Sequence, residues 1–287
     1  LSGLLKYNLF IKNQLTIHRL FFYNNSIITE MSKKIKSILI DLSGTLHIDD
    51  TAIPGAVDAL KRLRKSNTII KFVTNTTKES KNTLHKRLTK LGFDIKKEEI
   101  FSSLAAAREV VKTRKLNPLL LIDDAAIEDF EDLVNSETSQ NAVLVGLAPE
   151  KFNYKYLNDA FRLLLDGAPL IAIHEGRYYK RPDGLALGPG AFVKGLEYSS
   201  NVKAEVVGKP TSEFFTAALD STVPEEAIMI GDDVKDDIAG AQAVGIKGFL
   251  VKTGKYREGD EKTINPTPTK VCDSFTQAVD LILKEFV

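Results

Sequence analysis

Cysteine is almost missing: of 287 residues only Cys272 carries a thiol. One thiol cannot close an intrachain disulfide, which sets aside a disulfide-stapled scaffold and fits a reducing compartment. Tryptophan is absent, and the four histidines (His18, His47, His85 and His174) share no metal-ligand spacing, which argues against a zinc hydrolase. No apolar run nears the roughly 18 residues of a membrane-spanning helix. With a formal net charge of +1, neither a nucleic acid nor an anionic membrane is expected as partner. The chain also lacks a G-x-S-x-G elbow and a GK[ST] phosphate loop, so serine-hydrolase and Walker-type nucleotide chemistry are unsupported.

What is there is 43% hydrophobic and 27% charged, enough to bury one or two cores. The beginning is acid-poor and Asn-rich, with Lys6, Lys12 and Arg19 against Glu30, and the first Met is Met31. Residues 1–34 are read as a leader, closer to upstream sequence before Met31 than to a transit peptide. The expected location is cytoplasmic.

The organising stretch is Ile38-Leu39-Ile40-Asp41-Leu42-Ser43-Gly44-Thr45. An apolar run closed by a polar turn suits a strand buried on both faces of a parallel sheet. Ligands of such sheets sit beyond the carboxyl ends of the strands, which puts Asp41 at the mouth of a site. Val57, Leu60 and Leu63 then repeat at helical spacing, and Ile69-Ile70-Lys71-Phe72-Val73 reads as a second strand ending in Thr74-Asn75. Strand, helix and strand of this length make a right-handed unit with parallel strands, so Thr74 and Asn75 fall beside Asp41.

From residue 80 to 202 the α/β pattern continues, but its apolar runs no longer end in the same chemistry. This stretch is read as an inserted α/β cap, between core segments 35–79 and 203–287. Within it, residues 177–190 are basic and aromatic and then rich in Gly and Pro. They are expected to form an irregular loop that presents substrate-contacting side chains, with Asp183, Gly184 and Leu185 setting specificity. Past Asn201 the opening style returns. Val206-Val207 runs into Gly208-Lys209-Pro210, and Ala227-Ile228-Met229-Ile230 runs into Gly231-Asp232-Asp233, with Asp237 one helical turn beyond Asp233. The fold class expected is α/β: a Rossmann-like parallel sheet with helices on both faces, plus the inserted α/β cap.

Carboxylates crowded at one sheet edge repel one another unless a cation lies between them. Oxygen donors without a His or Cys cluster select a hard ion such as Mg²⁺. Lys209 with Thr74 and Asn75 supplies the positive and neutral donors a phosphoryl group needs. The residues alone therefore point to Mg²⁺-dependent phosphoryl transfer.

The four ordered segments, Asp41-x-Ser43-Gly44-Thr45, Thr74-Asn75, Lys209-Pro210 and Gly231-Asp232-Asp233-x-x-x-Asp237, resemble the motifs of the haloacid dehalogenase-like hydrolases. The likeness covers about residues 35–287, and the insert is similar to the large α/β cap of the branch with nucleotide phosphatases and nitrophenylphosphatases. The resemblance implies that Asp41 is the nucleophile that becomes an aspartyl-phosphate. It implies Mg²⁺ on Asp41, the Ser43 carbonyl and Asp232, with Asp233 or Asp237 holding the metal's waters and Lys209. Leu42, Ser43, Thr74, Asn75 and Lys209 would surround the phosphoryl group. A homodimer through the cap is a further expectation from the family.

One position departs. Most phosphatases of this superfamily carry a second Asp where this chain has Ser43, and that Asp protonates the leaving oxygen. A hydroxyl cannot do so. The expectation is a slow or selective phosphatase favouring aryl phosphates, pyrophosphate or phosphoramidates, acting on a small phosphorylated molecule or a phosphorylated side chain. The alternative is a catalytically weak relative that binds a metal and a protein partner.

Overall fold

In the computed structural model, which describes residues 34–181 and 184–287, Ser37-Ile38-Leu39-Ile40 is buried at every position. It forms β1 (Ser37–Ile40), followed by a small antiparallel hairpin of β2 (His47–Ile48) and β3 (Thr51–Ala52). Helix Ala56–Leu63 leads to β4 (Ile69–Thr74), and helix Lys81–Lys90 leads to β5 (Ile100–Ser102). The expected leader and Asp183 lie outside the described residues.

After helix Ser103–Thr113 come β6 (Pro118–Leu121), β7 (Ala142–Val145), helix Tyr154–Leu165 and β8 (Leu170–Ala172). A second hairpin pairs β9 (Tyr178–Arg181) with β10 (Gly184–Leu187), and helix Gly190–Ser200 precedes β11 (Ala204–Val206). Helix Ser212–Leu219, β12 (Ala227–Gly231), β13 (Lys247–Val251), β14 (Lys270–Cys272) and helix Phe275–Glu285 complete the chain.

Two parallel sheets result. The larger has the order β14-β13-β12-β1-β4-β5, and the smaller β11-β8-β7-β6. Alternation along the strands gives each sheet two cores, since successive side chains point to opposite faces. Ile38, Ile40, Ile228 and Ile230 pack under helices Ala56–Leu63 and Phe275–Glu285, whereas Leu39 and Met229 meet Phe214, Phe215 and Ala241 on the other face. In the smaller sheet Leu144 and Ile171 face helix Ser103–Thr113, and Val143, Val145 and Leu170 face helices Tyr154–Leu165 and Gly190–Ser200. This is the Rossmann-like α/β architecture expected, with helices on both faces.

Sheet membership corrects the expected segment boundaries at two short strands. β5 lies inside the stretch read as cap, yet it pairs with β4 in the larger sheet. β11 lies inside the stretch read as core, yet it pairs with β8 in the smaller one. Three-residue strands carry too little periodicity to declare a partner, so the free edge they meet decides. The expected irregular loop is likewise a regular hairpin, as Tyr178 and Tyr179 favour extended backbone and β10 returns along β9.

The helix that carries Asp237 starts irregularly. The segment after β12 opens as a wide π turn, Val234–Ala239, before closing into Gly240–Ala243. Such turns cluster at functional sites. Pro210 stands just before Thr211, which caps helix Ser212–Leu219 through the Phe214 N–H. Among the described residues no helix is long and apolar enough to cross a membrane.

Candidate functional site

β1 and β12 are adjacent and parallel, so the residues that follow them, Asp41 and Asp232, emerge side by side. β4 flanks β1 on the other side and ends in Thr74. Lys209 comes from elsewhere, three residues past β11 of the smaller sheet. Its ammonium donates to Asp41 Oδ1 and Asp237 Oδ1, both at 2.6 Å, and to the Val73 carbonyl at 3.3 Å. Its side chain is only 3% exposed. Burial works to lower its pKa, but Asp237 and Asp41 outweigh that and hold Lys209 protonated far above the ordinary lysine range.

Asn75 does something the sequence did not suggest. Its amide nitrogen donates to the Lys209 carbonyl at 2.9 Å, and its oxygen accepts the Lys209 N–H at 3.0 Å. Both polar ends of the side chain thus hold the lysine backbone, and the second amide hydrogen is left to donate elsewhere. Thr74 is buried and its oxygen accepts the Thr76 N–H at 3.2 Å, which leaves its own hydroxyl hydrogen to donate. The Leu42 side chain sits in the core at 1% exposure, so a ligand could meet only its main chain. Ser43 is exposed beside the β2 hairpin.

The two acids on the π turn separate in role. Asp237 accepts the Asp233 N–H at 3.0 Å through Oδ2 while Oδ1 takes Lys209. Asp233 caps the turn, accepting the Lys235 and Asp236 N–H groups at 3.0 Å, and its other oxygen meets Lys255 Nζ at 3.2 Å. Burial works to raise the Asp233 pKa, but Lys255 and these backbone donors prevail and lower it.

Carboxylate oxygens of Asp41, Asp232 and Asp237 lie within 4.8 Å of one another, and all three residues are buried. The donor set fits a hard divalent cation. Asp41, Asp232, Asp233 and Asp237 share the ammonium groups of Lys209 and Lys255, so full ionisation leaves two negative charges over. Asp237 has both oxygens engaged, whereas Asp232 uses Oδ2 on the Lys255 N–H at 2.6 Å and keeps Oδ1 open. Asp41 Oδ2 has only a long contact, 3.4 Å, from the Thr45 hydroxyl. Asp41 and Asp232 are therefore the carboxylates free to hold a metal, with Asp237 as the brace for Lys209. Gly44 makes the room: its backbone is left-handed at φ +91°, and a Cβ there would stand 2.2 Å from Asp232 Oδ2.

Residues beyond the sequence reading also line this edge. Thr253 donates to the Gly44 carbonyl, and Lys255 contacts both Asp232 and Asp233. They follow the buried strand β13, so the rule that singled out Asp41 applies to them as well. His47 is buried and tied through Nδ1 to the Asp49 carbonyl at 2.9 Å, with burial and then Arg87 lowering its pKa. Gly184 and Leu185 lie in β10, paired with Arg181 and Lys180 of β9.

A model of haloacid dehalogenase-like hydrolases matches residues 38–134, and a HAD-hydrolase-like model matches residues 206–278. The human haloacid dehalogenase-like hydrolase domain-containing protein 2 is 60% identical over 257 residues, which is 89% of this chain and 98% of that protein. The phospholysine phosphohistidine inorganic pyrophosphate phosphatase of Danio rerio is 41% identical over 262 residues, covering 88% of this chain and 96% of its own. Among solved structures, a glycerol phosphate phosphatase from Mycobacterium tuberculosis, in complex with magnesium, superposes with a TM-score of 0.74 at 25% identity, over 85% of this chain and 78% of that one. Asp41 and Thr74 fall in the first matched stretch, Lys209, Asp232 and Asp237 in the second, and identity at this level runs through nearly all of the described residues: the chain belongs to the haloacid dehalogenase-like hydrolases.

Proposed function

We propose that this chain is a Mg²⁺-dependent phosphatase that works through an aspartyl-phosphate on Asp41. The observation that carries this reading is the fixed pair of Asp41 and Lys209, 2.6 Å apart, with Asp232 beside them. Phosphatase relatives and a magnesium-bound neighbour support it. Lys209 and Asp237 aim Asp41 Oδ1, and the Thr74 hydroxyl donates to a phosphoryl oxygen. An oxygen of Asp41 attacks phosphorus in line, the Asp41–phosphorus bond forms, and the leaving group departs with the electron pair of the broken bond. Mg²⁺, held by Asp41, Asp232 and the Ser43 carbonyl, would neutralise charge on the phosphoryl oxygens.

Ser43 then decides which bonds break well. Without a carboxylic acid at 43, a poor leaving group receives no proton from that position. Losing such an acid typically costs about 10²–10⁴ in rate. Aryl phosphates, pyrophosphate and protonated phosphoramidates need no donated proton, and they are the favoured substrate class. Because kcat/KM reports the first half-reaction, kcat/KM for p-nitrophenyl phosphate should exceed that for alkyl monoesters by at least about 10²-fold. Ser43→Asp should narrow the gap by raising alkyl turnover. Near-equal wild-type values for the two classes would overturn the selectivity. The competing reading, a metal- and partner-binding protein, also draws on Ser43; it prevails if Mg²⁺ binds and no substrate class turns over.

The metal step has a pH signature. Burial first, and then the charge of Asp41, push metal-free Asp232 up to about 7. A carboxylate binds metal deprotonated, so affinity for Mg²⁺ should be level above pH about 7 and fall about tenfold per unit below it. Calorimetric titrations with Mg²⁺ across that range check this, and an affinity indifferent to pH would contradict it.

A further inference from the structure

The carboxyl ends of the two sheets face one another across short links. The Leu147 N–H, just past β7, donates at 3.0 Å to the Thr77 hydroxyl oxygen, just past β4. Gly208 is pressed between the same two edges, and a Cβ there would meet the Ile173 carbonyl at 2.4 Å and Asn75 Oδ1 at 2.6 Å. Ile173 follows β8. The end of β8 therefore rests on the backbone that leads into Lys209, and the next residue is His174.

His174 is held in one orientation and one tautomer. Its Nδ1 accepts the Gly176 N–H at 3.1 Å, which places the ring proton on Nε2. The Nε2–H has no hydrogen-bond partner among the described residues, and the residue is only partly buried. Burial pushes its pKa down to about 4, with Lys255 and Lys209 adding to the effect. The imidazole is neutral at physiological pH and stands within electrostatic reach of both ammonium groups of the acid cluster.

In-line attack by Asp41 sends the leaving group away from β1, and the end of β8 that leads into His174 rests against Gly208, one residue before Lys209. We infer that His174 contacts the substrate, its Nε2–H donating to the oxygen that bridges phosphorus and the leaving group. This rests on the phosphatase reading and names a residue of the same reaction. The proton stays on Nε2, and the hydrogen bond strengthens as the oxygen takes the electron pair of the breaking bond. A neutral imidazole can act as an electrophile of this kind. It would partly offset the acid missing at Ser43, and it favours leaving groups that present an acceptor oxygen.

The test uses a series of aryl phosphates with graded leaving groups. His174→Asn keeps an acceptor for the Gly176 N–H but does not reach the Nε2 position. It should cost about 10²-fold in kcat/KM on the poorest leaving group and little on p-nitrophenyl phosphate. His174→Gln, which restores a donor at that reach, should recover part of the loss. A uniform loss across the series, or none, would overturn the assignment. Separately, imidazole ¹⁵N spectra of the Mg²⁺-loaded protein should show the His174 Nε2 signal moving when inorganic phosphate is added, and an unmoved signal would also overturn it. If the wild-type protein hydrolyses nothing, the phosphatase reading falls, while the phosphate titration still decides whether His174 faces the ligand.

Discussion

Asp41→Asn should abolish turnover of p-nitrophenyl phosphate, a fall on the order of 10⁴-fold or more in kcat, with the fold intact. The amide oxygen is a poor nucleophile toward phosphorus, yet it has the shape of the carboxylate it replaces and can still accept from Lys209. The variant also removes one negative charge from a cluster in which Asp232 is pushed up to about 7 by burial and by Asp41 itself. Asp232 should then ionise at lower pH than in the wild type. Thermal unfolding separates the outcomes: with Mg²⁺ present, beryllium fluoride should raise the melting temperature of the wild type and not of the variant. Turnover within tenfold of wild type would place the nucleophile elsewhere.

Lys209→Met should be the most destabilising single change at the site. It leaves Asp41 and Asp237 buried, at 6% and 1% exposure, without the ammonium that both now contact at 2.6 Å. Breaking a buried ion pair from one side costs about 3–5 kcal/mol. In a protein of this size that is a drop of roughly 6–20 °C in Tm. Lys209→Met combined with Asp237→Asn removes one stranded charge and should recover a good part of the loss, and Mg²⁺ should recover more. A single variant that melts within about 3 °C of wild type would mean that the triad contributes little to stability. Activity should vanish along with the stability, because Asp41 loses the contact that aims it.

Much of this site was legible because buried parallel strands announce themselves as unbroken apolar runs. Ile38-Leu39-Ile40 before Asp41 and Ile228-Met229-Ile230 before Gly231-Asp232 are such runs, and all six apolar residues are fully buried. Sequence spacing misled at Asp233 and Asp237. Four residues apart on a regular helix they would share a face, yet the π turn and the capping role send Asp233 to Lys255 and Asp237 to Lys209. Asn75 reads as a phosphate ligand because it follows a strand, and no local pattern announces that its side chain also pairs with the Lys209 backbone. Lys255 and His174 obey the strand-end rule too, although nothing in their local sequence marks them.

The sequence by itself determined the class of fold, the strands whose ends carry acids, and the replacement of a carboxylate by Ser43, because these follow from local apolar runs and single residue identities. The tertiary structure alone decided which sheet the short strands β5 and β11 join, and which of the clustered carboxylates, Asp41 and Asp232, keep an oxygen without a close hydrogen-bond partner. It also decided that Lys209 reaches across from the smaller sheet's side to hold Asp41. Those are distances through space between segments 168 residues apart in the chain, set by how two sheets meet at Thr77 and Gly208, and no local pattern of residues encodes them.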